Sequence, residues 1–163
     1  MLSGLLALFI LCLAVAPRLA EAQSGGFDYY LLSLSYAPDF CAQPGGSKAP
    51  RECGAGRRAG FLVHGLWPQS NAGRGPSHCG PAQPVGDRLV RAMLHYFPDE
   101  SLIQHEWATH GACSGLSQAD YFAAVRKARD AVVIPPLLAA PASAVNLSPA
   151  NLLRAFTSAN PSF

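Results

Sequence analysis

The sequence carries little charge of either sign. Twelve basic and ten acidic residues among 163 leave a formal net charge of +2, and only 13% of the chain is charged. No one-sided field is available to collect a polyanion or a membrane surface from a distance, so any such partner has to be held by a local site. The polar, highly charged composition of a disordered chain is also missing, since half of the residues are hydrophobic. No apolar run reaches the ~20 residues that span a bilayer. There is no C-x-x-C pair and no internal repeat. What is abundant is Gly (15) and Pro (14), which argues against a plain helical bundle and for many loops. One domain is expected for this length.

Leu5 to Ala16 is an uninterrupted apolar run, followed by the small-x-small pattern Ala20-Glu21-Ala22. Residues 1–22 therefore read as a secretory leader cut after Ala22, although no Lys or Arg precedes the run. The expected product is an exported domain over residues 23–163, secreted or periplasmic and free of the membrane once the leader is removed. Cys12 falls in the leader. Cys41, Cys53, Cys79 and Cys113 remain, and four cysteines in an exported chain read as two disulfides. Three pairings are open, and spacing does not choose among them. The intervals of 12, 26 and 34 residues are not those of a structural zinc site.

Two apolar segments read as strands. Phe27–Tyr36 is aromatic and aliphatic on both faces, as in a strand central to a sheet, and Pro38 ends it. Gly60–Leu66 is the second, closed by Trp67-Pro68. Residues 42–59 and 69–86 read as loops. Helices are expected after Asp87 as cap (Leu89, Val90, Met93, Leu94, Phe97), over His105–Cys113, after the capping-box-like Ser117–Asp120, and after Ser148-Pro149. Helices beside separated strands indicate an α+β domain, and two strands alone make a poor sheet.

Reactive side chains concentrate in His64-Gly65-Leu66-Trp67-Pro68 and in His105–Cys113. The second segment reads H-E-x-x-x-H, not the H-E-x-x-H of a zinc protease. Five residues of helix separate the two imidazoles by about 140° of rotation, too far for one ion, so a metalloprotease is excluded and no metal is expected. Glu106 and His110, four apart, share a face, and His105 reaches the same pocket from the side. With His64 projecting toward that face, one cleft holds three imidazoles and a carboxyl. Such groups can divide into an acid and a base near neutral to mildly acidic pH, with a spare imidazolium to hold an anion. That set suits phosphoryl transfer, each proton-transfer partner contributing ~10²–10⁴ in rate. The 2′-hydroxyl of RNA is a nucleophile tethered beside its own phosphate. DNA lacks it and is spared.

FLVHGLWPQ at Phe61–Gln69 and HEWATHGAC at His105–Cys113, with FDYYLLSLSYAPDFC at Phe27–Cys41, resemble the ribonuclease T2 family, exported acid ribonucleases that include the plant self-incompatibility S-ribonucleases. The resemblance spans nearly all of residues 23–163. It implies an α+β fold with a central antiparallel sheet, several packed helices and disulfides. It also implies endonucleolytic cleavage of single-stranded RNA through a 2′,3′-cyclic phosphate, without metal or other cofactor. By position, His64 is expected as general acid, His110 as general base, His105 as a phosphate ligand and Glu106 as a transition-state stabiliser. Trp67 is expected to line a base pocket, where an aromatic face stacks on any base. The implied disulfides are Cys41–Cys53 and Cys79–Cys113. RNA is the expected substrate and the protein the expected monomer.

Three departures stand out. Thr109 occupies a position where the family usually has Lys, so a phosphate-neutralising cation is replaced by a hydroxyl. Leu102 stands where an aromatic often helps to bind a base. The chain also stops before the family's last strands and their cysteines, so the domain is expected to be C-terminally truncated. These features feed an alternative from another class: a catalytically weak, secreted RNA- or protein-binding member of the same fold. His78 and His95 belong to no constellation and read as surface or packing residues, and Trp107 and Phe61 read as core.

Overall fold

A computed structural model describes residues 26–54, 60–141 and 145–163. The proposed leader lies outside them. The elements run β1 (Tyr29–Tyr36), α1 (Ala37–Cys41), α2 (Pro50–Cys53), β2 (Phe61–Gln69), α3 (Asp87–Met93), α4 (Glu100–Thr109), α5 (Gln118–Asp130), α6 (Pro136–Ala139) and α7 (Pro149–Ala159). The fold is α+β: helices packed on an antiparallel β1–β2 pair, with two disulfides.

β1 is not central. Among the described residues it pairs with β2 alone, and none of its side chains is fully buried. Its large residues on both faces are only half covered; Tyr29 and Leu31 are exposed. β2 runs through Trp67-Pro68 rather than ending before them. The β1–β2 register skips a residue: Ser33 faces Gly65 and Leu34 faces Val63, so His64 has no partner across the ladder. This bulge decides which side chains share a face. In a regular strand residues i and i+2 share a side. Here Val63 and Leu66, three apart, both enter the core, while the His64 and Trp67 rings meet on the other side. Bulges re-aim side chains in this way beside active sites.

The core joins Val63 and Leu66 of β2 to Met93, Phe97, Ile103, Trp107, Tyr121, Phe122 and Val125. Tyr121 is fully buried, and its hydroxyl donates a 2.9 Å hydrogen bond to the Leu66 carbonyl, tying α5 to the strand that carries His64. Capping follows the sequence at α5 and α7, where Ser117 accepts from the Asp120 N–H and Ser148 from the Asn151 N–H. α4 starts earlier than His105. Asp99, after Pro98, accepts from the Leu102 N–H at 3.0 Å and opens the helix at Glu100. α4 ends at Thr109, with His110 as its C-cap and a 3₁₀ turn over Gly111–Cys113.

The segment before α3 is fastened to α4. The Gln104 amide bridges both backbone groups of Val85, at 2.8 and 2.9 Å, and Trp107 Nε1 donates to the Gln83 carbonyl at 3.0 Å. The disulfides join Cys41 to Cys53, drawing α1 and α2 together, and Cys79 to Cys113, joining this segment to the turn after α4.

Candidate active site

β2 and α4 each bring their motif to one place. The α4 turn that buries Ile103 and Trp107 also buries Glu106, which is 1% exposed. Glu106 Oε2 accepts a 2.8 Å hydrogen bond from Trp67 Nε1, and Oε1 lies 3.8 Å from His64 Nδ1. The indole is the common neighbour of two imidazoles. His64 meets it edge-on at a centroid distance of 5.6 Å, and His110 lies tilted against it at 5.4 Å. Gly65 lets the two elements approach this closely, because a Cβ there would collide with Glu106 Oε2 and Trp67 Nε1.

Burial divides the electrostatics. Desolvation raises the Glu106 carboxyl to about 7, against the pull of the Trp67 hydrogen bond, so it is largely protonated in mild acid. His110 is pushed the other way, first by burial and then by the charges of His105, His78 and His64, which favours its neutral form. Its Nδ1 is buried without a hydrogen-bond partner. The His64 side chain is 48% exposed, and His105 is exposed on α4. His64 and His105 open onto a cavity of about 640 Å³ floored by Phe40, Val63 and Leu102. Glu52, buried at its edge, is raised by desolvation and by the charge of Asp99. Among the described residues no three His, Cys, Asp or Glu side chains are arranged to hold a metal ion.

The structure thus gathers His64, Trp67, Glu106 and His110 into one cluster, with His105 at its rim. His78, read from the sequence as a surface or packing residue, belongs to this neighbourhood. Its N–H donates to the Thr109 carbonyl at 2.8 Å, and its charge is felt by His110. Spacing alone carries no signal for it. The only sequence hint is its place next to Cys79. Thr109 is buried, at 7% exposure, and Trp107 lies in the core as expected.

The model of the Ribonuclease T2 family matches residues 27–151. A ribonuclease of Aeromonas hydrophila is 42% identical over 106 residues, which is 63% of this chain and 45% of that protein. A probable ribonuclease of Haemophilus influenzae is 38% identical over 122 residues, 66% of this chain and 44% of that protein. The chain spans about half the length of the curated relatives it matches. Among solved structures, an RNase-related protein from Calystegia sepium superposes with a TM-score of 0.64 at 23% identity, over 82% of this chain and 75% of that one. RNase NT, solved in complex with 5′-AMP, superposes with a TM-score of 0.61 at 20% identity, over 82% and 73%. Both superpositions speak for the fold alone.

Proposed function

The chain belongs to the ribonuclease T2 family, and from that premise we propose that it is an exported endoribonuclease that cleaves single-stranded RNA by transesterification through a 2′,3′-cyclic phosphate. One observation carries the reading: His64 and His110 pack against the same indole, whose N–H is bonded to a buried carboxyl.

The chemistry follows from the groups. Burial, and then the charges of His105, His78 and His64, lower the His110 pKa and favour its neutral form, which takes the proton of the RNA 2′-hydroxyl. With Nδ1 buried, Nε2 is the nitrogen that receives it. The 2′-oxygen attacks phosphorus, and the P–O5′ bond breaks as protonated His64 gives its proton to the leaving 5′-oxygen. The products are a 2′,3′-cyclic phosphate and a 5′-hydroxyl. Charge building on the non-bridging oxygens is met by His105 and by Glu106. Below about pH 7 Glu106 keeps its proton, so it donates a hydrogen bond where a carboxylate would repel the phosphate. Trp67 orients Glu106 and both imidazoles and lines the site for a base.

The test is incubation of the purified protein with RNA and with single-stranded DNA from about pH 4 to about pH 7. The proposal expects loss of RNA, cyclic-phosphate ends, intact DNA, no loss of activity in EDTA, and a fall on the order of 10²-fold or more in His64→Ala and His110→Ala. Activity unchanged in either variant would remove the role assigned to it. RNA bound but never cut would favour the binding-protein alternative.

A further inference from the structure

His78 is the only non-glycine residue with positive φ among the described residues, at +54°. Left-handed backbone is uncommon outside glycine, with His among the residues enriched there. It persists where the surroundings fix it, often at ligand-binding positions. Two ties fix it here. Its N–H is bonded to the Thr109 carbonyl, on the residue before His110. The next residue, Cys79, is bonded to Cys113, three residues after His110. The loop is therefore clamped on both sides of His110, with an exposed imidazole at its tip.

The bond to the Thr109 carbonyl sets the His78 backbone against the residue next to His110. His78 is one of three histidines whose charge bears on His110, with His105 and His64. The titratable groups around the same cleft are His64 on β2, His105 and Glu106 on α4, and His110 itself. Thr109, buried and uncharged, brings no cation to it.

We propose that His78 is an additional phosphate-binding residue, its imidazolium holding a phosphodiester that flanks the cleaved one on the His110 side of the site, where Thr109 supplies no charge. This rests on the ribonuclease reading. It adds a contact made by the loop before α3, outside both sequence motifs. A contact to a phosphate that does not react strengthens ground state and transition state alike, so its loss appears in KM rather than kcat.

The experiment compares wild type, His78→Asn and His78→Arg. Asn tolerates the left-handed backbone and removes the charge, and Arg restores a cation. KM and kcat for RNA cleavage are measured in mild acid over a range of salt, together with binding of a single-stranded deoxyribonucleotide oligomer, which cannot be cleaved. The expected result is a KM raised about fivefold or more in His78→Asn with kcat little changed. The slope of log affinity against log salt should fall by about 0.7, the loss of one phosphate contact. Both should recover in His78→Arg. An unaltered KM and salt slope in His78→Asn would overturn the inference. So would a weakened Asn variant that Arg does not rescue, since that is the mark of a purely structural loop residue. If the wild type cuts no RNA, the ribonuclease reading falls, and the oligomer's salt slope still judges His78.

Discussion

Trp67 donates its indole N–H to the buried carboxyl of Glu106, 39 positions along the chain, at 2.8 Å. This bond joins β2 to α4 and opposes the desolvation that raises Glu106. Trp67→Phe keeps a ring for the two imidazoles and removes the bond. The expected outcome is a kcat/KM lowered by about tenfold or more through looser positioning, with the alkaline limb of its pH profile moved to higher pH. An alkaline limb that stays put would disconnect Glu106 from that limb.

Gly65 has no space for a side chain. Gly65→Ala drives a methyl group into the Trp67–Glu106 bond and should cost about 1–3 kcal/mol, as overpacking does. Chemical denaturation measures this, and RNA cleavage should collapse with it. Wild-type stability and rate in the Ala variant would mean that β2 and α4 are free to separate.

The Glu106 carboxyl also sets a pH dependence of stability. Its folded pKa, about 7, lies above the ordinary 4.5. The native state therefore holds more protons than the unfolded state between these values, and stability falls as pH rises through that window. The lowered His110 pKa acts in the opposite direction, so between about pH 4.5 and about pH 7 the thermal midpoint of wild type should fall relative to that of Glu106→Gln. Equal slopes in the two proteins would place the carboxyl in a wetter setting than the one described.

After burial, the charge of His105 is the next cause that holds His110 down. His105→Ala should let the His110 pKa rise. Because the base acts in its neutral form, the acid limb of kcat/KM should move to higher pH, with an added loss of rate from the missing phosphate contact. An acid limb that moved to lower pH would contradict the sign of this coupling.

The two disulfides should differ in effect. Cys79–Cys113 closes a 34-residue interval and Cys41–Cys53 one of 12. Chain entropy then assigns about 4 and about 3 kcal/mol to them. Replacing Cys79 and Cys113 by Ser should lower stability more and also raise KM for RNA, since it frees the loop that carries His78. Replacing Cys41 and Cys53 should lower stability with less effect on cleavage. Paired denaturation and kinetic measurements decide between these outcomes.

Both strands, the Ser117 and Ser148 caps and the side chains that gather in the candidate cluster are legible in the sequence, because each rests on local chemistry. The start of α4 is written in Pro98-Asp99 and in the Leu102, Ile103 and Trp107 spacing, which lies ahead of the reactive cluster that begins at His105. Bulky residues on both faces of β1 look the same whether one neighbouring strand covers them or two, and the described residues supply one. The bulge at His64 is a property of pairing with β1, which no single segment encodes. The position of His78 depends on a disulfide and a left-handed turn that act together, and neither is visible in residue spacing.

The bulge makes geometric odd-and-even counting part of the catalytic design. One additional residue inserted between Ser33 and Leu34 would give His64 a partner and mend the ladder. The mended strand would then send residues 64 and 67 to opposite sides, so the hairpin would gain regularity at the expense of the cleft.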